Sequence, residues 1–550
     1  LAFARSSSVM MSAAIATGPV RYTPPTTSAG GSPLSASPSP EAGQSPAASS
    51  RYEMAVQKLN KLQSNALTIQ KLKASRKEQM QLQNVPETES CLHRLGITIP
   101  DLDRLRVIHV TGTKGKGSTC AYTEAMLRSV GIKTGFFSSP HMVHVRERIR
   151  IGGAPLPEDA FADALFAAHD RLEKIPPADS SLPPMPAYFK FLTVLAFDVF
   201  LREQVDVAIV EVGIGGEYDC TNVTRAPVAC GITTLDLDHV ALLGNTLSDI
   251  AWNKAGIFKP NATAVVAHDH TEEAMARIRE RATERKVRSL STCPPLTEYS
   301  FPVALDSPFR PGIDGDHQKT NLSLALQLAR AWIRSERPEI EHSLFGGADD
   351  SSSSSSSWEC GQPFHVPAVW ADAIAACHWP GRSQILDRGR TRFYLDGAHT
   401  SKSMESCVRW FQEASRDRIR SPASPSCERE RILIFHCTGD RKPDALMAGL
   451  AALPFTRVLL CPPMVRPRQD STSDTANYFR PPDEQTRQSM ECEAAWRRLR
   501  PDMDARSIIR LDCVSHALDE VARGDNEADV LVTGSLILVG NVLSALGYDR

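Results

Sequence analysis

Residues Gly112-Thr113-Lys114-Gly115-Lys116-Gly117-Ser118 bring three glycines, two lysines and two hydroxyls into one run. Glycines let successive backbone N–H groups turn toward an anion, and a helix that follows adds its positive N-terminal end. Lys116 is placed to reach the outer phosphates of a nucleotide, and the hydroxyl of Ser118 or Thr119 to approach Mg²⁺. A glycine-rich turn can also do no more than pack a helix against a strand. The apolar strand before this run, the lysine inside it and the hydroxyls after it favour the phosphate site. Two departures from GxxxxGK[ST] stand out: Val110 occupies the first glycine position, and Gly117 separates Lys116 from Ser118.

A second constellation is Glu211-Val212-Gly213-Ile214-Gly215-Gly216, followed by Tyr218-Asp219-Cys220-Thr221-Asn222. The apolar run Val205–Val212 suits a buried parallel strand. A carboxylate at the C-terminal end of such a strand lies where α/β sheets bind ligands. Glu211 is therefore a candidate metal ligand, and the glycines let the backbone pass close to substrate.

The spelling TGTKGKGS resembles the phosphate loop of the Mur ligase superfamily more than that of kinases or GTPases, which moves the expected chemistry from phosphorylating an alcohol to activating a carboxylate. Further segments narrow the resemblance. They are Phe136-Phe137-Ser138-Ser139-Pro140-His141, Leu237-Asp238-His239, Ala251-Trp252-Asn253-Lys254, Trp379-Pro380-Gly381-Arg382, Tyr394-Leu395-Asp396-Gly397-Ala398-His399 and Val532-Thr533-Gly534-Ser535. Together with the glycine-rich run after Glu211, their order resembles the folylpolyglutamate synthases, in the eukaryotic spelling, from about residue 52 to the C-terminus.

That resemblance implies an ATP-dependent ligase forming carbon–nitrogen bonds, which adds L-glutamate to the γ-carboxyl of tetrahydrofolate and its polyglutamates through an acyl phosphate. It implies that Ser139, Glu211 and His239 hold Mg²⁺, a plausible donor mixture for a site that also accepts phosphate oxygens. It also admits a monovalent cation such as K⁺. Lys254 matches a lysine that the family can carbamylate, although a plain lysine contacting phosphate would fit as well. Asn321, Arg382 and Asp396 match positions that contact ATP, and the last two lie beyond an inter-domain linker. His399, beside Asp396, is a neighbour for the proton that the glutamate amine must lose. Arg146, Arg148 and Arg150 alternate, so on a strand they would share one face; they would meet substrate carboxylates or form a solvated face.

The elements that must position these groups read as α/β throughout. Strand Val107–Thr111 leads through the loop into helix Thr119–Val130, which Gly131 ends. Val228–Thr233 is a further strand. A second α/β run follows near Trp379: strand Thr391–Leu395, helix Ser403–Ala414, and strands Ile432–His436, Val458–Cys461 and Val530–Thr533. The expected architecture is a Mur-ligase-like P-loop ATPase domain with a mostly parallel sheet over 52–335, then a variable Ser-rich linker over 336–377 that contains Ser351–Ser357. A smaller Rossmann-like α/β domain follows over 378–550. Tyr52–Gln83 reads as a polar helix with an apolar stripe of Met54, Leu59, Leu62, Leu67, Ile69 and Leu72. A polar, proline-containing insertion lies between Pro462 and Gln485. Residues 1–51 are Ser-, Ala- and Pro-rich, carry Arg5 and Arg21 and no acidic residue before Glu41, and suit either an organelle transit peptide or a plain disordered tail. The chain starts with Leu, so the natural N-terminus is expected to lie further upstream.

At 550 residues the chain exceeds what one core fills, and 42% hydrophobic with 23% charged residues is ordinary for a globular protein. A net charge of −2 gives no reason to expect nucleic acid as the partner, and no apolar run reaches the ~18 residues of a membrane span. Thirteen cysteines without any CxxC argue against a zinc site and a disulfide framework. The resemblance implies tetrahydrofolate and its polyglutamates, L-glutamate and ATP as partners, with a monomer expected to act in cytosol, mitochondrion or both. The rival readings are another Mur-type amide ligase, including a bifunctional enzyme that also glutamylates dihydropteroate, a catalytically dead ATP-binding scaffold, which would be expected to lack Lys116, Glu211 or His239, and a non-ligase P-loop ATPase. The last predicts glycine at 110 and Ser or Thr at 117, and neither is present.

Overall fold

The computed structural model describes residues 50–63, 77–302, 309–346, 358–419, 429–438, 441–467, 473–475, 482–524 and 526–548. The 1–49 segment, the serine run and Leu67, Ile69 and Leu72 lie outside them.

Strand β1 (Ile108–Thr111) is followed by β2 (Thr134–Phe137), β3 (Ile149–Ile151), β4 (Ala154–Pro155) and β5 (Val207–Glu211). With β6 (Ala229–Ile232), β7 (Thr263–Val266) and β8 (Ser289–Thr292) they form one sheet in the order β4-β3-β2-β5-β1-β6-β7-β8. Only β3 and β4 run antiparallel to their neighbours. The second sheet holds β9 (Gln384–Arg388), β10 (Thr391–Leu395), β11 (Glu430–Phe435), β12 (Arg457–Leu460), β13 (Ile508–Arg510) and β14 (Ala528–Thr533). Its order is β13-β12-β11-β14-β10-β9, parallel except for the β9–β10 pair.

Both sheets are buried on two faces, which is why their strands read as apolar runs rather than alternating ones. In β5, Ala208 and Val210 pack into one core and Val207 and Ile209 into another. In β11, Leu433 and Phe435 separate in the same way from Ile432 and Ile434. Each of these side chains larger than alanine contributes roughly 1.5–3 kcal/mol through burial.

Helix Lys116–Ser129 begins one turn before the sequence reading, because its N-cap is Gly115 in the left-handed conformation within the loop itself. It ends as expected at Gly131 (φ 84), where Gly131 N donates to Arg128 O and Ile132 N to Leu127 O. Three other expectations need correction. Tyr52–Gln83 is not one helix: Arg51–Asn60 stops in a turn, and a second helix spans Lys77–Arg94. Met54 is 47% exposed, and the buried face is Tyr52, Ala55, Val56 and Leu59. Arg146, Arg148 and Arg150 do not share a strand face, because Val145–Arg148 is a 3₁₀ turn and β3 starts only at Ile149.

Within the stretch expected to be linker, Val366, Trp370 and Ile374 are fully buried in a core of the first sheet. Helix Ala368–Ala375 carries the last two.

Candidate active site

Strand register sets the site. Val110 pairs with Glu211 on one side and with Gly231 on the other, so the C-terminal ends of β5, β1 and β6 open together. The loop after β1 is tied to the chain after β6: Thr113 N and Lys114 N both donate to Thr234 O, at 3.0 and 3.2 Å. Gly112 (φ 148) and Gly115 (φ 90) have no room for a side chain. A Cβ would stand 1.8 Å from Thr233 Oγ1 at the first and 1.9 Å from Asn321 Oδ1 at the second. The loop therefore lies flat against β6 and against helix His317–Glu336, which carries Asn321.

Around this floor is a cavity of about 880 Å³, the size of a substantial ligand pocket. Thr113, Lys114, Gly115, Lys116, Gly117, Ser118, Ser139, Glu211, His239, Asn321, Arg382, Asp396 and His399 all line it. Gly112 and Lys254 do not; they form the layer beneath the loop. There Lys254 Nζ and Lys116 Nζ both donate to Gly112 O, at 2.8 and 3.1 Å. Burial, with Lys116 nearby, pushes the Lys254 ammonium well below its ordinary pKa and favours the neutral amine.

Glu211 is 4% exposed, and one of its oxygens accepts from Ser139 N at 3.0 Å. Burial pushes its carboxyl upward, against the pull of Lys116. His239 sits in the left-handed conformation (φ 51) at the exposed rim of the cavity, where partial desolvation lowers its pKa against the pull of Asp238 and favours the neutral ring. A buried carboxylate, a neutral imidazole and the Ser139 hydroxyl suit a small divalent cation, whose charge would offset the desolvation that Glu211 carries.

The second sheet closes the opposite wall. Asp396, at the end of β10, accepts from Ser383 N at 2.8 Å and Ala398 N at 2.9 Å, so both oxygens shape the Arg382–Ser383 turn and its own loop. His399 pairs through Nδ1 with Gly397 O at 2.8 Å, which leaves the Nε2 lone pair to accept from Lys114 Nζ at 2.9 Å. Lys114 also meets Asp238 at 3.2 Å. Burial and the Lys114 charge push His399 down to about 3. Lys114 thus bridges the phosphate loop and the second sheet.

Several residues in and around the cavity have structural parts that the sequence reading did not assign. Arg441 follows β11 and is fixed by Thr438, its Nη1 donating to the carbonyl at 2.8 Å and the hydroxyl at 3.0 Å. A cation just past a parallel strand was the available signal. Tyr188, Phe189, Ile214 and Leu243 supply an apolar wall. Asp219 accepts from Ile214 N, Thr221 N and Thr221 Oγ1, and so builds the glycine turn after Glu211. Trp379 covers the loop: a Cβ on Gly117 would meet its Nε1 at 3.0 Å, while Phe136 stacks on it at 5.3 Å and Arg150 lies 4.8 Å from its ring centroid. Of the three alternating arginines only Arg148 lines this cavity, donating to His141 Nδ1 at 2.9 Å.

No protein-family model matches the chain. It is 39% identical to the mitochondrial folylpolyglutamate synthase of Homo sapiens, across 89% of this chain and 90% of that protein. It is 33% identical to the folylpolyglutamate synthase of Saccharomyces cerevisiae, across 90% and 86% respectively. Among solved structures, the Mycobacterium tuberculosis folylpolyglutamate synthase complexed with ADP and AMPPCP superposes with a TM-score of 0.61. That match has 21% identity and covers 84% of this chain and 95% of the other.

Proposed function

The chain belongs to the folylpolyglutamate synthase family, and we propose that its cavity carries out the ATP-dependent addition of L-glutamate to the γ-carboxyl of a folate's glutamate tail. One observation carries the assignment of roles. Lys116 at a helix N-terminus, buried Glu211 and Arg382 from the second sheet all line one cavity, with apolar side chains on another wall.

A carboxylate and an amine do not condense in water. A folate γ-carboxylate oxygen therefore attacks the γ-phosphorus of ATP, and ADP leaves. The glutamate nitrogen then attacks the acyl carbon, and the tetrahedral intermediate expels phosphate. In this reading the N–H groups of residues 115–118 receive the phosphates, and Lys116 and Arg382 offset the charge gathering on the transferred group. Ser139, Glu211 and His239 would hold Mg²⁺, which when bound supplies Lewis-acid neutralisation of the phosphate oxygens. Lys254 fixes the Gly112 carbonyl from below. Asn321 props Gly115, and Asp396 sets the turn that presents Arg382.

His399 takes a different part from the proton acceptor that its place beside Asp396 suggests. Its lone pair is held by Lys114, and a pKa of about 3 makes it a weak base at neutral pH. We assign it to positioning Lys114 across the cleft. The apolar wall of Tyr188, Phe189, Ile214 and Leu243 takes the flat ring system of folate.

The proposed architecture is an ATP-binding segment over 52–335, joined in its core by the later helix Ala368–Ala375, and a ligase segment over 378–550. The proposed working unit is the monomer, since one chain supplies every wall. Cytosol and mitochondrion are both proposed compartments; the human relative's name includes the second, and no described helix is long and apolar enough to cross a membrane.

Purified protein with ATP, Mg²⁺, labelled glutamate and either tetrahydrofolate or dihydropteroate tests the assignment. Label is expected in tetrahydrofolate polyglutamates. ATP hydrolysis without labelled folate would reject the ligase reading, and label in dihydropteroate alone would replace the substrate.

A further inference from the structure

The segment between Pro462 and Gln485 interrupts the second sheet's sequence pattern and has no assigned task. Three of its residues, Ser473–Thr475, lie against the helix Arg51–Asn60 and the loop that follows β2. Asp474 is the centre of that contact. Its side chain is 15% exposed and accepts from three groups: Tyr52 Oη, Val145 N at 2.7 Å and His144 Nδ1 at 3.4 Å. Its backbone carbonyl pairs with His141 Nε2 at 3.0 Å, and Asn60 Nδ2 donates to Ser473 O at 3.1 Å.

The loop so gripped is the one that begins at Ser139. Two further attachments leave it little freedom. The Glu147 carboxylate accepts from Met142 N, Val143 N and His144 N, at 2.9, 2.9 and 2.7 Å. Met142 and Val143 are buried in a core of the second sheet, where a Cβ on Gly540 would come within 2.1 Å of Met142 O. From the loop a short chain of bonds runs into the cavity. His141 Nδ1 accepts from Arg148 Nε, so His141 Nε2 carries the proton and donates to the Asp474 carbonyl. One peptide plane of Asp474 thereby sets the ring that orients Arg148, and its carboxylate sets the backbone leading back to Ser139, whose N–H donates to Glu211.

We infer that Asp474 is a positioning residue for the phosphate end of the cavity, which holds the Ser139–Arg148 segment in register with Glu211. The inference rests on the reading above that Ser139 and Glu211 serve the metal and nucleotide. A carboxylate receiving a backbone N–H, a phenol and an imidazole in a largely buried place makes stronger bonds than neutral partners would. A group that fixes a ligand-bearing loop typically changes affinity or activity 10- to 100-fold. The expected mark is a change in the use of Mg·ATP more than in the chemical step.

The test is steady-state kinetics of the full chain with Asp474→Ala, Asp474→Asn and Tyr52→Phe, with melting temperature recorded for each. Asp474→Ala is expected to raise KM for Mg·ATP about tenfold or more while leaving kcat at saturating ATP within about threefold. Asp474→Asn keeps one oxygen for Val145 N and is expected to recover most of the loss. Tyr52→Phe removes one donor and is expected to raise that KM about two- to fivefold; it serves as the probe should Asp474→Ala not fold. A lowered melting temperature with KM for Mg·ATP within twofold of the parent, in either Asp474→Ala or Tyr52→Phe, would make the contact merely structural and overturn the inference. Ser139→Ala run alongside separates the two readings. If it raises the Mg²⁺ requirement while the Asp474 and Tyr52 variants do not, only the inference fails. If none of the variants has an effect, the site reading fails and takes the inference with it.

Discussion

Replacing Gly115 by Ala should destabilise the protein through two separable routes, and a double-mutant cycle with Asn321→Ala tells them apart. At φ 90 an alanine pays the left-handed penalty of about 1–2 kcal/mol wherever its Cβ points. Here the Cβ would also stand 1.9 Å from Asn321 Oδ1, an overlap that no real contact tolerates. Relief requires the Asn321 amide to swing away, which breaks its 2.9 Å donation to Gln318 Oε1 and removes about 1 kcal/mol more. Gly115→Ala alone should therefore lose about 2–3 kcal/mol, by the same two principles. Asn321→Ala alone loses the hydrogen bond, about 1 kcal/mol. In the double variant that bond is lost only once, so the two effects should fall short of additive by about 1 kcal/mol. Urea unfolding of the four proteins measures this directly. Strict additivity would refute the argument, since it would mean that Asn321 is not what Gly115 leaves room for.

Lys116→Ala is expected to abolish ligation while the melting temperature stays within a few degrees of the parent; retained turnover would remove Lys116 from the mechanism. Chelation of divalent metal should stop glutamate incorporation, with Mg²⁺ restoring it, and incorporation that survives chelation would remove the assigned role of Ser139, Glu211 and His239. Trp379→Leu removes the stack on Phe136 and the Arg150 contact, and should raise KM for ATP several-fold; an unchanged value would show that Gly117 needs no cover. His109 is fully buried in β1, burial lowers its pKa to about 3, and its Nδ1 has no hydrogen-bond partner among the described residues. Because the folded pKa lies below the ordinary ~6.5, its contribution is complete above that value and is lost as pH falls toward 3. Between pH 7 and 5 that loss is about 2 kcal/mol. His109→Gln should therefore show a smaller acid loss of unfolding free energy than the parent, and identical pH profiles would count against a buried neutral imidazole.

The phosphate loop and Glu211 were legible because each signal is local: glycines, a lysine and a strand end lie within a few residues of one another. Strand Thr391–Leu395 was read to the residue for the same reason. The rest depended on distance in the chain. Asp474 finds Tyr52 across 422 positions, and nothing near either residue announces the other. Trp370 lies in a stretch dominated by the serine run, so composition concealed a fully buried helix face. The alternating arginines misled because a 3₁₀ turn followed by a three-residue strand breaks the period of two that the pattern assumes. His399 stands beside Asp396 just past β10, but its lone pair is engaged by Lys114, 285 residues earlier.

Met142 and Val143 also govern when this enzyme can be assembled. They complete a core whose other members come from residues 393–543, so during N-to-C synthesis their hydrophobic partners do not exist until the ribosome has nearly finished. The phosphate loop and Glu211 are encoded in the first half of the chain, yet the Ser139 loop between them takes its final shape last. A truncated product lacking the second sheet would carry an intact nucleotide motif beside an unseated loop with two exposed apolar side chains. Such a fragment would be a target for chaperones rather than a half-active ligase.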